Sequence, residues 1–228
     1  MSESFEIVVS PVLGENCVVV WDGLGGSIII DPGANVTERV QEIHEQRNLR
    51  PKAIVITHGH VDHTWDAAKL SQAYDIPVWI NAADAYRLTD PFTTLASAQL
   101  ISLFHQVGLS EKNYVSPTNI ETFDSTEDFE RAGLFLTAIP APGHTEGSTL
   151  YGFRHQVIFS GDVLFNNGVG RTDLPGGDAR VMFDTLKNVV GQLSDDLLVI
   201  PGHGPGTTIG HEKMSNPYLL QAISRLDK

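Results

Sequence analysis

The stretch Thr57-His58-Gly59-His60-Val61-Asp62-His63 follows the largely β-branched run Ala53-Ile54-Val55-Ile56. A strand therefore delivers four candidate ligands into one turn. Side chains alternate faces along an extended chain, so His58 and His60 point the same way, while Asp62 and His63 open the next segment and can reach a second centre. Working outward, an apolar run followed by a glycine and a ligating residue recurs three times. Leu134-Phe135-Leu136-Thr137-Ala138-Ile139 leads through Pro140-Ala141-Pro142-Gly143 to His144. Val157-Ile158-Phe159-Ser160-Gly161 leads to Asp162, and Leu197-Leu198-Val199-Ile200-Pro201-Gly202 leads to His203. Glycine tolerates unusual dihedrals, which lets the backbone turn off a strand end and approach an ion closely.

A lone histidine is more often a packed or surface residue than a ligand, but seven ligating residues in matching settings reverse that expectation. Imidazole and carboxylate donors suit zinc, iron or manganese, and the only cysteine, Cys17, lies in a strand-like run far from these turns. A single ion would leave donors stranded. Two divalent metal ions are therefore expected, zinc first, with iron or manganese as the other candidates. His44, His105, His155 and His211 lack the strand-glycine setting and are expected in surface or hydrogen-bonded structural roles.

The ligand pattern His-x-His-x-Asp-His, followed by Gly-His, Gly-Asp and Gly-His, resembles that of the metallo-β-lactamase superfamily over nearly the whole chain. The closer likeness is to short glyoxalase II-like (hydroxyacylglutathione hydrolase-like) bacterial hydrolases. It is carried by Ile30-Asp31-Pro32-Gly33, Ala141-Pro142-Gly143-His144-Thr145-Glu146-Gly147, Ser160-Gly161-Asp162, Gly168-Val169-Gly170-Arg171-Thr172-Asp173 and Ile200-Pro201-Gly202-His203-Gly204-Pro205. The resemblance implies an αββα sandwich. It places His58, His60 and His144 on one ion and Asp62, His63 and His203 on the other, with Asp162 bridging, and makes Asp62 and Asp162 the catalytic carboxylates. True β-lactamases replace the bridging carboxylate and flavodiiron relatives carry Glu at the position of His60, so neither activity is favoured.

A net charge of −13 disfavours a nucleic-acid surface, which needs clustered Lys or Arg. The amino terminus has neither a basic leader nor an apolar stretch of signal-peptide length, and no run approaches a membrane span. With one cysteine no internal disulfide can form, which fits a reducing cytoplasm. At 228 residues, with 41% apolar content, one folded domain is expected over 1–228.

Along the chain, residues 5–31 read as successive strands with a turn at Gly23-Leu24-Gly25-Gly26. A helix is expected over 36–48, a strand announced by Pro51 and ending at Thr57, a helix after His63 with Trp65, Ala68 and Ala73 inward, and a strand at Pro77-Val78-Trp79-Ile80. From Phe129 onward strands are expected to Ile139, at 148–153 and at 156–160, then a helix near 178–193, a strand to Ile200 and one closing helix. Periodicity alone supports a mixed α/β fold. Residues 82–117 fit neither half and read as an insertion. Their helical part, 93–107, is either a lid contributing an apolar wall over the metal edge or a peripheral helix on the core. Asp31 either orients a ligating histidine or shapes its turn. Arg171 either holds a substrate carboxylate or pairs with Asp173. Thr145 and Ser148 lack a nucleophile-elbow motif, which argues against a serine mechanism.

The resemblance implies hydrolysis of a small-molecule thioester of the S-2-hydroxyacylglutathione type by metal-activated hydroxide. A thiolate, with a free pKa of roughly 8.5, leaves without a strong general acid. Glyoxalase II carries a carboxy-terminal helical region that grips glutathione, whereas only one helix's worth of sequence follows His203. Two alternatives stand beside this reading. One is a mononuclear iron persulfide dioxygenase, which shares Gly-Arg-Thr-Asp but usually shows Ala-His-Asp-Tyr where this chain has Gly202-His203-Gly204-Pro205. The other is a lactone or ester hydrolase using the same metals.

Overall fold

The computed structural model describes residues 4–126 and 134–224. Phe5–Val9 (β1), Asn16–Trp21 (β2) and Gly26–Ile30 (β3) form an antiparallel meander, with Val18 opposite Ile30 and Val20 opposite Ile28. Arg50–Val55 (β4), Val78–Asn81 (β5) and Ile120–Phe123 (β6) add in parallel, giving six strands in sequence order. Thr137–Pro140 (β7), Thr149–Phe153 (β8), Val157–Gly161 (β9), Leu198–Pro201 (β10) and Thr207–Thr208 (β11) make the second sheet, ordered β11-β10-β9-β8-β7.

The alternation in β2 explains how the sheets stack. Val18 and Val20 face inward with Ile28 and Ile30 onto Tyr151, Phe153, Phe159 and Ile200 of the second sheet. Val19 and Ile29 face outward, under Val40 and Ile43 of α1 (Thr37–Arg47) and Leu70. On the far side, Ile158 and Val199 are covered by Met182 and Leu186 of α5 (Ala179–Asn188) and by Leu219 and Ala222. Both faces of the central strands β2, β3 and β9 are therefore dry, which is why those strands read as apolar runs. Each such side chain contributes about 1.5–3 kcal/mol on burial. The result is the expected αββα sandwich.

Several local expectations differ from the structure. Pro51 lies inside β4 rather than ahead of it. The helix after His63 is two pieces, α2 (Val61–Thr64) and α3 (Ala67–Tyr74). At the break, the Asp66 carboxylate accepts hydrogen bonds from Val36 N, Thr37 N and Thr37 Oγ1, so it anchors the start of α1. Trp65 is half-buried and Ala68 buried, but Ala73 is exposed. β6 and the two-residue β11 have no strong pattern in the sequence. The closing helix is also two, α6 (Ile209–Ser215) and α7 (Pro217–Ser224), because Pro217 lacks the N–H that would continue the first. The strand-rich stretch expected from Phe129 begins outside the described residues.

Residues 82–117 form the crossover that joins the parallel strands β5 and β6. The crossover opens with a 3-10 turn, Ala82–Leu88. The expected helix over 93–107 is a short turn, Thr93–Leu95, then α4 (Ala98–Gln106), broken at Ala96 in a left-handed conformation with φ 47°. No helix among the described residues is long and apolar enough to cross a membrane.

Candidate metal centre

Four strand ends meet at one edge of the sandwich. The loop after β4 carries His58 and His60, α2 carries Asp62 and His63, and β7, β9 and β10 lead to His144, Asp162 and His203. At Gly161, φ is +49°, and an added Cβ would strike the Thr57 side chain. At Gly202 the backbone passes so close that a Cβ would meet the Asp162 carboxylate and the His63 ring. Both glycines are demanded by the approach of ligand-bearing loops.

The seven residues separate into two groups. His144 Nε2 lies 3.2 Å from His58 Nε2 and 2.9 Å from His60 Nδ1. His203 Nε2 lies 3.2 Å from His63 Nε2 and 3.4 Å from Asp62 Oδ2. Asp162 sits between them, Oδ2 3.6 Å from His144 Nε2 and Oδ1 3.4 Å from His63 Nε2. Nitrogen-nitrogen separations of this size are close to the ~3.4 Å edge of a tetrahedron with bonds of about 2.1 Å, so each trio fits a divalent ion. Asp162 Oδ1 is buried and has no hydrogen-bond partner, as expected of an atom shaped for a cation.

The outer ring nitrogens are held by fixed acceptors. His63 Nδ1 donates to Asp31 Oδ2 at 3.0 Å, His144 Nδ1 to the Arg171 carbonyl at 2.7 Å, and His203 Nδ1 to the Leu13 carbonyl at 3.2 Å. Asp31 also accepts from Thr57 N and from Thr57 Oγ1, and that hydroxyl lies 3.1 Å from His58 Nδ1. Because Asp31 and the carbonyls only accept, the protons reside on Nδ1 and the Nε2 lone pairs of His63, His144 and His203 converge on the centre. His60 is reversed, with Nδ1 inward and Nε2 buried without a partner. Asp31, His58 and His63 also form a compact group, but the carboxylate there serves the rings from behind.

Burial and the neighbouring imidazoles hold His58 and His60 well below the usual histidine range, keeping them neutral donors. Burial acts the same way on His63, but the carboxylates of Asp162, Asp62 and Asp31 outweigh it and raise its proton affinity. The two groups thus differ in their donors: one is made of imidazoles alone, and the other adds the Asp62 carboxylate.

Asp84, Arg87 and Glu15 belong to no motif, and no local pattern singles them out. Asp84 is fully buried at the head of the crossover. It accepts from Gly59 N (2.8 Å), between His58 and His60, and from Gly147 N (2.9 Å) and Thr145 Oγ1 (2.7 Å), just beyond His144. One carboxylate therefore clamps two ligand loops. Arg87, also fully buried, braces it through Nε at 3.2 Å and reaches Glu146 and the Pro175 carbonyl through Nη2. Thr145 and Ser148 are hydrogen-bonded to each other in this clamp, consistent with no nucleophilic role.

Glu15 is fully buried with neither oxygen hydrogen-bonded, and burial pushes its carboxyl well above the usual range. Folding therefore takes up a proton above pH ~4.5, and stability is lost as pH rises toward the folded-state value. In chelator-treated protein, Glu15→Gln should raise stability at pH 7.5 by about 1–3 kcal/mol, and the gain should shrink toward pH 5. Thermal unfolding at the two pH values checks this, and no gain at pH 7.5 contradicts it.

The remaining candidates fall into structural roles. Arg171 pairs bidentately with Asp173, at 2.7 and 2.8 Å, pulling that carboxyl down to about 2. His44 is bonded to Ser27 and the Val40 carbonyl, His105 pairs with Glu111, and Cys17 is buried. A cavity of about 320 Å³ opens onto His60, Asp62, His144, Asp162 and His203, and Leu95, Leu100 and Phe104 of the crossover line its wall.

The family model described as the metallo-beta-lactamase superfamily matches residues 10–203. The hydroxyacylglutathione hydrolase GloC of Haemophilus influenzae is 34% identical over 226 residues, covering 95% of this chain and 98% of the relative. Among solved structures, TTHA1623 in a di-iron-bound form is 30% identical with a TM-score of 0.77, covering 93% of this chain and 99% of that one. BLEG-1 B3 metallo-beta-lactamase is 28% identical with a TM-score of 0.76, covering 94% and 99%. With two sheets, the converging donors and a family match across most of its length, the chain belongs to the metallo-beta-lactamase superfamily.

Proposed function

We propose that the protein is a dinuclear metal-dependent hydrolase of small thioesters, the class that includes S-2-hydroxyacylglutathiones. His58, His60 and His144 would hold one ion and Asp62, His63 and His203 the other, with Asp162 between them. The observation that carries this reading is the Asp162 carboxylate, which turns one oxygen toward each trio. Bound divalent ions supply an activated water and polarise a carbonyl. The chain's own part is to fix the donors: Asp31 and two carbonyls lock the imidazoles, and Asp84 ties together the loops that bear them. Zinc is the proposed metal. Iron is the second choice, and the di-iron form of a relative favours it over manganese.

The choice of a thioester follows from the lining. Outside the candidate ligands, the only ionisable group among the described lining residues is Arg171, whose guanidinium does not give up a proton. A departing amine needs an acid, whereas a thiolate does not. The name of the GloC relative supports the same class. Small-molecule chemistry in the cytoplasm, without nucleic-acid or membrane partners, completes the proposal.

The test follows thiol release from S-lactoylglutathione and other thioesters colorimetrically, while an oxygen electrode monitors a parallel assay with glutathione persulfide. Anaerobic thiol release without oxygen uptake is expected. Rapid oxygen uptake on the persulfide with no thioester cleavage would replace the hydrolase with a dioxygenase, and cleavage of lactones alone would replace the substrate class.

A further inference from the structure

The cavity over the metal edge has a polar floor and an apolar wall. Beyond the candidate ligands it is lined by Leu13, Leu95, Leu100, Phe104, Phe165 and Leu174, with Gly170 and Arg171. Leu95 and Phe104 are buried against Trp65 and Phe92, so that side of the wall is anchored in the core rather than loose on the surface. Leu13 adds an independent sign. It holds a left-handed backbone with φ 57°, a costly conformation for a leucine, and its side chain is left 44% exposed at the cavity mouth while its carbonyl anchors His203. Gly14, the next residue, is also left-handed, so this turn aims an apolar side chain over the centre where a small or polar residue would serve the backbone better.

The wall offers little to a charged group. Arg171 is the only lysine or arginine among its described residues, and its charge is balanced by Asp173, which takes the Nε–Nη2 edge of the guanidinium. A glutathionyl group bears carboxylates, which would be desolvated on this wall without a partner. The acyl side of a thioester is therefore the half that the wall suits. We infer, building on the thioesterase reading, that the preferred substrates carry an apolar acyl chain longer than lactoyl, seated against Leu95, Leu100 and Phe104. A cavity of about 320 Å³ lies at the small end of ligand sites, with room for a chain of roughly six to eight carbons beside the scissile group.

The experiment holds the thiol constant and varies the acyl group: S-lactoyl-, S-acetyl-, S-butanoyl- and S-hexanoylglutathione, assayed with the metal-replete protein. From acetyl to hexanoyl, kcat/KM should rise at least roughly tenfold, since each buried methylene contributes to binding. Leu100→Gln, at a half-buried position of α4, should flatten that slope by lowering the hexanoyl value more than the acetyl value. A flat series, or one in which lactoyl is best, would overturn the inference while leaving the hydrolase reading intact. A second measurement decides the matter independently of turnover. Calorimetric titration with 2-octanone and 2-butanone, which carry a carbonyl but cannot be hydrolysed, should show the longer ketone binding at least roughly tenfold more tightly. If no thioester is cleaved but this difference appears, the apolar site stands and the hydrolase reading falls; equal affinities would remove the apolar site.

Discussion

Asp162→Ala is expected to lower kcat/KM for thioester hydrolysis by about a thousandfold or more, because the side chain is the one group that faces both donor trios. Folding should largely survive. The carboxylate is not part of the apolar core, and its removal relieves an unpartnered buried oxygen. Asp31→Ala provides the scale. Asp31 reaches the centre only through His63 and Thr57, so a loss of roughly 10–100-fold is expected there. The comparison requires kcat and KM for both variants alongside their bound-metal content. An Asp162 variant no more impaired than the Asp31 variant would remove the central carboxylate from the mechanism.

The second large effect is on stability. Asp84→Ala is expected to destabilise the protein by about 3–5 kcal/mol, the range for breaking a buried charge pair. Four donors lose their acceptor at once: Gly59 N, Gly147 N, Thr145 Oγ1 and the guanidinium of Arg87. For a chain of this size such a loss lowers Tm by roughly 10 °C or more. Asp84→Asn keeps one oxygen as an acceptor and should lose less. Thermal unfolding of both variants tests the clamp. An Asp84→Ala protein within about 1 kcal/mol of wild type would mean that the ligand loops hold themselves.

The sequence reveals the parts of this molecule that obey a period or a repeated local design. β2, β3, β9 and the second half of β4 read as apolar runs because both of their faces are covered there, and the donors at 58–63 and at 162 follow such runs. The fold gathers His58, His60 and His144 in one cluster and Asp62, His63 and His203 in another. Short elements were illegible for the opposite reason. Ile120–Phe123 is a strand because β5 offers it an edge, and its exposed Glu121 and Thr122 carry little intrinsic signal. Asp66 splits a helix by serving a distant backbone, a tertiary effect absent from local pattern. Asp84 and Glu15 were illegible because a carboxylate flanked by alanines or beside a turn looks like solvated surface until its burial is known.

The measurement that bears most directly on the dinuclear assignment is the metal stoichiometry of the protein after saturating reconstitution and removal of loosely held ions, read by native mass spectrometry together with elemental analysis. Two ions per chain, falling with activity on chelation and returning together when metal is restored, is the predicted result. A single ion per chain under those conditions, with hydrolysis undiminished, would contradict it.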